Sequence, residues 1–190
     1  MKEVVFIRHG ATPGNLEKRY IGSTDEPLSP QGIEQMQELA ALSLCPAHIY
    51  VSPMLRARQS AQILFPGRTY TVVEGLRETD FGRFEGKNAQ ELSADPSYRA
   101  WVDSLCLADI PGGDSVQDYK RRCCAAFAGI AKELSEGLNA IVAHGGTIMA
   151  MLEAFAMPQR DFYYYHIPNG GAIRCLWDKD VLHCTEELGS

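Results

Sequence analysis

The stretch VVFIRHGATPGN, residues 4–15, predicts the first strand of the chain and points to the chemistry. Its four apolar residues predict a buried strand, and Arg8, His9 and Gly10 follow that strand directly. The stretch AIVAHGG, residues 140–146, repeats the pattern of an apolar strand, a histidine and a glycine. Because a buried strand does not require such an ending, we expect these polar residues to form part of a site.

Strand and helix patterns alternate along the chain. Apolar runs predict strands at residues 3–7, 48–52, 69–76 and 139–146, and a closing hairpin at 172–178 and 181–188. Helical spacing predicts helices at residues 29–44, 53–65, 115–137 and 147–157, with Ser29 and Ser115 as N-caps. This alternation predicts an α/β fold: a single domain, residues 1–190, with a mostly parallel central sheet and helices on both faces. In such sheets, ligands bind beyond the carboxyl ends of the strands.

Composition limits the expected partners. The 190 residues carry a formal net charge of -6, and Lys and Arg are scattered, which argues against nucleic acid and membrane surfaces. The apolar runs are too short for a signal peptide or a membrane span, so a cytoplasmic location is expected. The six cysteines contain no C-x-x-C pair and are expected to be reduced. A small solute is the expected partner.

Two histidines and two arginines are expected at one rim of the sheet. His9 and His144 each end a strand, and the glycine after each lets the backbone approach a ligand closely. Arg56 lies near the start of a predicted helix, and Arg8 precedes His9. Planar guanidinium groups suit phosphate oxygens, and Asn15 offers one more donor. The pattern therefore predicts a phosphate-binding pocket.

The histidines also point to catalysis. A neutral imidazole is a competent nucleophile at cellular pH, so attack by His9 on phosphorus would give a phosphohistidine. The leaving oxygen then needs a proton, and Glu78, directly after the third predicted strand, fits best as its donor. Asp80 and Glu85 are alternatives in the same segment. Each residue taken singly fits an ordinary structural role, so the prediction depends on the whole set.

The chain resembles the histidine phosphatase superfamily, in its phosphoglycerate mutase-like branch, in six motifs that occur in the expected order: RHGATPGN, YIGSTDEPLSPQG, SPMLRARQSA, LRETDFGRFEG, PGGDS and AHGG. The resemblance covers essentially the whole chain and implies the phosphoglycerate mutase-like fold, with no metal and no cofactor. It also implies the site residues, namely a phosphorylated His9, the proton donor Glu78, the phosphate-binding Arg8, Asn15, Arg56 and His144, and the substrate-binding Ile21, Gly22 and Gly145.

Within the superfamily, residues 97–123 most resemble α-ribazole phosphatases of cobalamin synthesis, which act on α-ribazole 5'-phosphate. The expected function is therefore metal-independent hydrolysis of this phosphomonoester through phospho-His9. The alternatives are a phosphoglycerate mutase, a broad-specificity sugar or nucleotide phosphatase, and a phosphate-binding module without turnover. The expected partner is a small phosphorylated metabolite, and a homodimer is a possible assembly.

Aromatic residues are concentrated in the segment expected to cover the pocket. They are Phe81, Phe84, Tyr98 and Trp101. An aromatic ring there could stack on a flat base, or it could pack the segment against the body of the protein. His166 and His183 lie outside the motifs and are expected to be structural.

Overall fold

A single six-stranded sheet forms the centre of the computed structural model, which describes residues 1–189. Its strands are β1 (Lys2–Arg8), β2 (His48–Val51), β3 (Thr71–Val72), β4 (Gly137–Ala143), β5 (Ala172–Asp178) and β6 (Val181–Leu188). Their order in the sheet is β3-β2-β4-β1-β5-β6. The first four strands are parallel, and β5 and β6 form an antiparallel hairpin whose first strand pairs with β1. This confirms the predicted α/β fold with a mostly parallel sheet.

Helices cover both faces of β1, whose side chains alternate between two cores. Val4 and Phe6 face a core that includes Phe127, whereas Val5 and Ile7 face one that includes Met36. The helices are α1 (Pro13–Leu16), α2 (Pro30–Ala40), α3 (Leu55–Leu64), α4 (Ala89–Leu92), α5 (Pro96–Asp103), α6 (Val116–Glu133) and α7 (Gly145–Phe155). Helices α6 and α7 close the first core, and α2 and α3 close the second.

Two predicted boundaries were wrong. The strand expected over residues 69–76 contains only two paired residues, because the chain turns into a 3₁₀-helix at Glu74–Leu76 that buries Leu76. Gly137 does not end α6 but begins β4, where its φ of +84° suits a residue without a side chain. Ser29 caps α2 as predicted, because its hydroxyl accepts a hydrogen bond from the Gly32 amide at 3.0 Å.

Residues 79–115 contain two short helices that apolar spacing did not predict. Helix α4 depends on a reciprocal cap between Asn88 and Glu91, and α5 follows the N-cap Asp95. These helices bury a small separate core. Its members are Phe84, Leu92, Tyr98, Trp101 and Ile110. Within residues 1–189, no helix is long and apolar enough to cross a bilayer.

Candidate active site

The two histidines leave neighbouring strands at the same edge of the sheet. Arg8 pairs with Ala143 in the parallel register of β1 and β4, and a histidine directly follows each of these two residues. The His9 amide still donates to the Ala143 carbonyl at 3.1 Å. The ring centroids of His9 and His144 are 5.0 Å apart, and both rings are almost fully buried. The sheet thus brings together two residues that lie far apart in sequence.

Hydrogen bonds assign a tautomer to each ring. His9 Nδ1 lies 2.7 Å from the Gly10 carbonyl oxygen, which can only accept, so Nδ1 carries the proton and Nε2 is unprotonated, with an electron pair that accepts from Arg56 Nε at 3.2 Å. His144 Nδ1 accepts from Arg56 at 3.2 Å, so its Nε2 donates to the Ser52 hydroxyl at 2.7 Å. His9 Nε2 therefore has the electronic form that a nucleophile requires.

Arg56 lies fully buried between the two rings. Its Nε is 3.2 Å from both His9 Nε2 and His144 Nδ1, and its two terminal nitrogens donate to the carbonyls of Thr24 (2.8 Å) and Gly22 (2.9 Å). The helix places it there because it is the second residue of α3, which begins just beyond the carboxyl end of β2. These contacts with both rings and both carbonyls hold the guanidinium rigidly.

Burial and the adjacent guanidinium groups act on both imidazoles in the same direction. Burial first, then Arg56 and Arg8, holds the pKa of His9 well below its usual range. Burial, Arg56, His9 and Arg8 do the same to the pKa of His144. Both rings are therefore neutral at neutral pH, as the nucleophilic role of His9 requires.

These pKa shifts predict that the fold is sensitive to mild acid. Below the unfolded-state pKa of about 6.5, the unfolded chain binds protons at these two positions that the folded chain does not. The free energy of unfolding should therefore decrease as the pH is lowered, by up to about 1.4 kcal/mol per pH unit for each ring. Urea unfolding at neutral pH and in mild acid measures this fall, which should be smaller in His144→Gln; an equal fall in both proteins would contradict the prediction.

A cavity of about 410 Å³ is lined by Arg8 and Gly145, the chain neighbours of the two histidines; its lining within residues 1–189 does not include His9, Arg56 or His144 themselves. Arg8, Asn15, Glu78 and Gly145 line it. Arg8 donates to the Ile167 carbonyl at 2.8 Å, while its buried Nε has no partner among residues 1–189. We call these four lining residues, with Gly146, the phosphate end of the cavity. Arg8 and Gly145 adjoin His9 and His144 in the chain, Gly146 donates to Glu78, and Asn15 is connected to the His9 carbonyl through Asn169.

Asn15 and Gly145 contribute to the phosphate end in different ways. The Asn15 side-chain oxygen accepts from the Thr12 amide and from Asn169 Nδ2, both at 3.2 Å, which leaves its amide NH₂ group as the donor for a ligand. Gly145 begins α7, and a Cβ there would lie 3.2 Å from Arg8 Cζ. The absence of a side chain at Gly145 thus leaves room for the Arg8 guanidinium beside the N-terminus of α7. A bound anion is favoured at this end of the helix.

The carboxyl group of Glu78 is held at the cavity by three donors. Its Oε1 accepts from the Tyr119 hydroxyl and from the Thr79 amide at 3.0 Å, and its Oε2 accepts from the Gly146 amide at 3.0 Å. Burial, and next the charge of Glu78, raises the pKa of Tyr119 well above its usual range, so the hydroxyl remains a donor. The carboxyl group therefore has a fixed orientation within the lining.

The two alternative donors and Gly22 connect loops instead. Glu85 accepts from the amides of Gly22, Ser23 and Phe81 and from the Thr24 hydroxyl. Asp80 accepts from the Ser23 hydroxyl and the Gly82 amide. These hydrogen bonds connect residues 22–24, whose Gly22 and Thr24 carbonyls accept from Arg56, to residues 79–86. Ile21 lines the cavity, whereas Gly22 uses its amide and carbonyl for Glu85 and Arg56.

The Tyr119 hydroxyl provides a direct test of the role of Glu78. Tyr119→Phe keeps the ring and removes one hydrogen bond to the carboxyl group, which should lower kcat by about tenfold for an alkyl phosphate. The loss should be smaller for 4-nitrophenyl phosphate, whose leaving group needs no proton. Steady-state kinetics with both esters measure the difference, and equal losses would show that Tyr119 does not act through Glu78.

Gly146 offers a second test at the same carboxyl group. A Cβ at this position would lie 2.7 Å from both Glu78 Oε1 and the Tyr119 hydroxyl oxygen, so Gly146→Ala should displace the carboxyl group. We expect a loss of about tenfold or more in kcat for an alkyl phosphate. Gly129→Ala is the control, because a Cβ in that exposed turn of α6 meets nothing within 4 Å and should stabilise the fold by about 0.5–1 kcal/mol. Equal activity of the two variants would contradict the prediction.

Several residues of the site lie outside the predicted set. Tyr119 orients Glu78, Ser52 orients His144, and Asn169 donates to both the His9 carbonyl and Asn15. The prediction that His166 is structural was wrong, because His166 is exposed and lines the cavity. Within residues 1–189, no three His, Cys, Asp or Glu side chains cluster as metal ligands.

The chain is similar to known proteins along most of its length. The histidine phosphatase superfamily (branch 1) matches residues 4–186. The 2,3-bisphosphoglycerate-dependent phosphoglycerate mutase 2 of Gloeobacter violaceus is 32% identical over 164 residues, which are 80% of this chain and 74% of that protein. The α-ribazole phosphatase of Shigella flexneri superposes with a TM-score of 0.87 at 22% identity, covering 99% of this chain and 96% of that chain. A phosphoglycerate mutase of Thermus thermophilus superposes with a TM-score of 0.76 at 28% identity, covering 98% of both chains.

Fold and family match together define an enzyme that handles phosphoryl groups. The chain belongs to the histidine phosphatase superfamily, whose members are phosphatases and mutases. The Shigella structure, at 22% identity, establishes the shared fold.

Proposed function

We propose that this enzyme hydrolyses a phosphomonoester through a phosphohistidine at His9. The observation that carries the proposal is the unprotonated His9 Nε2, whose electron pair accepts a hydrogen bond from the buried Arg56 close to a cavity lined by the fixed carboxyl group of Glu78. In this proposal, Arg8, Asn15, Arg56 and His144 bind the phosphoryl oxygens.

In the first half-reaction, His9 Nε2 attacks phosphorus and the ester P–O bond breaks. The leaving alkoxide takes its proton from Glu78, and the Nε2 electron pair forms the new P–N bond. Because Arg56 Nε donates to His9 Nε2 in the structure, bond formation exchanges that contact for one between Arg56 and a phosphoryl oxygen. The charge that develops on the phosphoryl oxygens is stabilised by Arg8 and Arg56.

In the second half-reaction, water attacks the phosphohistidine. Glu78, now a carboxylate, accepts the proton of the attacking water, and the P–N bond breaks to return the electron pair to Nε2. The net reaction converts the ester and water to an alcohol and phosphate. The fixed position of Glu78 suits both proton transfers because the alcohol and the water occupy the same side of phosphorus in turn.

As substrate we propose α-ribazole 5'-phosphate, in the synthesis of the cobalamin nucleotide loop. The support is the fold shared with the Shigella α-ribazole phosphatase and the aromatic lining of the cavity. Phe81 and Trp101 line the cavity, whereas Phe84 and Tyr98 pack within residues 79–115. A volume of about 410 Å³ fits a nucleoside-sized group, on whose flat base an aromatic ring could stack.

Purified protein assayed in chelator tests this proposal. The panel contains α-ribazole 5'-phosphate, 3-phosphoglycerate and a sugar phosphate, and kcat/KM should be highest for α-ribazole 5'-phosphate by more than tenfold. Turnover of a sugar phosphate at an equal rate would instead indicate broad specificity.

A phosphoglycerate mutase is the second candidate, because the Gloeobacter relative at 32% identity has that name. Interconversion of phosphoglycerates, measured with and without a bisphosphate primer, separates the two activities. A primer-dependent mutase rate above the phosphatase rate would overturn the preference for hydrolysis.

A further inference from the structure

We propose that the cavity beyond its phosphate end selects substrates whose alcohol part carries no charge, and that the ion pair of Lys120 and Glu153 enforces this selection. The inference rests on the proposed function and names the substrate class of the same site. The observation behind the inference is that Lys120 and Arg19, two cations of the cavity lining, already have carboxylate partners.

Most of the lining beyond the phosphate end is apolar. Aromatic and aliphatic side chains come from residues 79–115, from α6 and α7 and from the segment after α7. They are Phe81, Trp101, Leu107, Ile110, Val116, Met149 and Phe162. We call these seven residues the apolar wall. It favours a desolvated apolar group, to which the side chains of the wall offer contact area.

Lys120 is a cation in this part of the lining, but its charge is already paired. Its Nζ lies 2.6 Å from Glu153 Oε2 and 4.6 Å from the centre of the Phe162 ring. Glu153 is not among the lining residues found within residues 1–189. A ligand carboxylate that approached Lys120 would therefore compete with Glu153 and would have to be desolvated against the Phe162 ring.

Arg19, the second cation of this region, is paired still more completely. It donates to Glu17 at 2.6 Å, to Glu91 at 2.7 Å and to the Gly86 carbonyl at 2.5 Å. His166 is mostly uncharged at neutral pH, because desolvation at the cavity and the nearby Arg8 lower its pKa. Among the cavity-lining cations of residues 1–189, Arg8 alone lacks a carboxylate partner in a salt bridge, and it belongs to the phosphate end.

The cavity thus offers one anion site, and that site is used by the transferred phosphoryl group. A phosphoglycerate carries a carboxylate in addition to its phosphate, and a bisphosphate carries a second phosphate. Either additional anion would meet the apolar wall, paired cations and the carboxyl group of Glu78. The same lining accommodates the uncharged alcohol part of a nucleoside-like phosphomonoester.

Two aryl phosphates of matched shape test this inference. 4-Propylphenyl phosphate and 4-(2-carboxyethyl)phenyl phosphate have similar phenol leaving groups and differ in a remote carboxylate. We expect kcat/KM to favour the uncharged ester by about tenfold or more. Glu153→Gln should free the Lys120 charge and reduce this preference by about threefold or more, whereas Lys120→Met should increase it.

Opposite shifts in the two variants are a readout that general damage to the fold would not produce. Equal kcat/KM for the two esters in the natural protein, or a preference that Glu153→Gln leaves unchanged, would overturn the inference. If neither ester is hydrolysed, the proposed function is wrong, and the affinities of the two corresponding phosphonates, measured by calorimetry, then test the selection separately. Equal phosphonate affinities would again overturn it.

Discussion

Replacing His9 with alanine is expected to lower kcat by about 10⁴-fold or more, because it removes the atom that forms the covalent intermediate. The reason lies in the hydrogen bond from Nδ1 to the Gly10 carbonyl, which leaves Nε2 as the basic nitrogen. A chelator-containing phosphatase assay measures the loss. If the reaction with a ³²P-labelled ester is quenched rapidly with a denaturant, without acid, the label should be trapped on the wild-type protein and not on His9→Ala.

His144→Ala provides the matched comparison for His9→Ala. Both rings are buried, but His9 Nε2 is unprotonated, whereas His144 Nε2 carries the proton that it donates to the Ser52 hydroxyl. His144→Ala should therefore slow turnover and still form a labelled phosphoenzyme. If His9→Ala turns over at nearly the wild-type rate, or if it still retains the ³²P label, another residue is the nucleophile.

Removing the guanidinium of Arg56 should have the second largest effect. Arg56→Met is expected to lower kcat by about 10²–10³-fold, since it deletes a fixed cation beside the reacting phosphorus. It also leaves the buried carbonyl of Gly22 and that of Thr24 without their donors, which should lower the free energy of unfolding by about 2 kcal/mol or more. Enzyme kinetics and urea unfolding measure the two effects.

The pH dependence separates this electrostatic role from a purely structural one. Arg56 lowers the pKa of both imidazoles, so its removal should raise both pKa values and shift the acid limb of the kcat profile to higher pH. Arg56→Lys keeps a charge without the planar fork and should shift this limb less. Arg58→Met, an exposed change in the same helix, is the control and should be neutral. An acid limb that stays in place in Arg56→Met would contradict the assigned role.

The positions of the two histidines could be predicted because parallel strands end at one edge of a sheet. An apolar run followed by His-Gly occurs twice, so the sequence pattern alone is enough to place His9 and His144 at one edge of a parallel sheet. Arg56 could be predicted for a related reason, since α3 starts directly beyond β2. The order of the strands did not follow from the pattern and required the structure.

Other residues of the site could not be predicted, because their sequence patterns are the same as those of ordinary core or surface residues. Tyr119 is in helical phase with the buried Cys123, Phe127 and Ile130, so its spacing indicates a core position and says nothing about its hydroxyl. Lys120, one residue further along α6, is expected to be a solvated cation unless its partner on α7 is known. Residues 79–115 lack long apolar periodicity, and their short helices depend on caps.

The placement of β1 also constrains how the protein is made. β1 is translated before both of its neighbours in the sheet, β4 and β5, which begin at residues 137 and 172. A growing chain therefore cannot pair β1 in the sheet until these strands have left the ribosome, and closing so large a loop is slow. Nascent chains that end before β4 is complete should need a chaperone, and catalytic competence should arise in a single late step of folding.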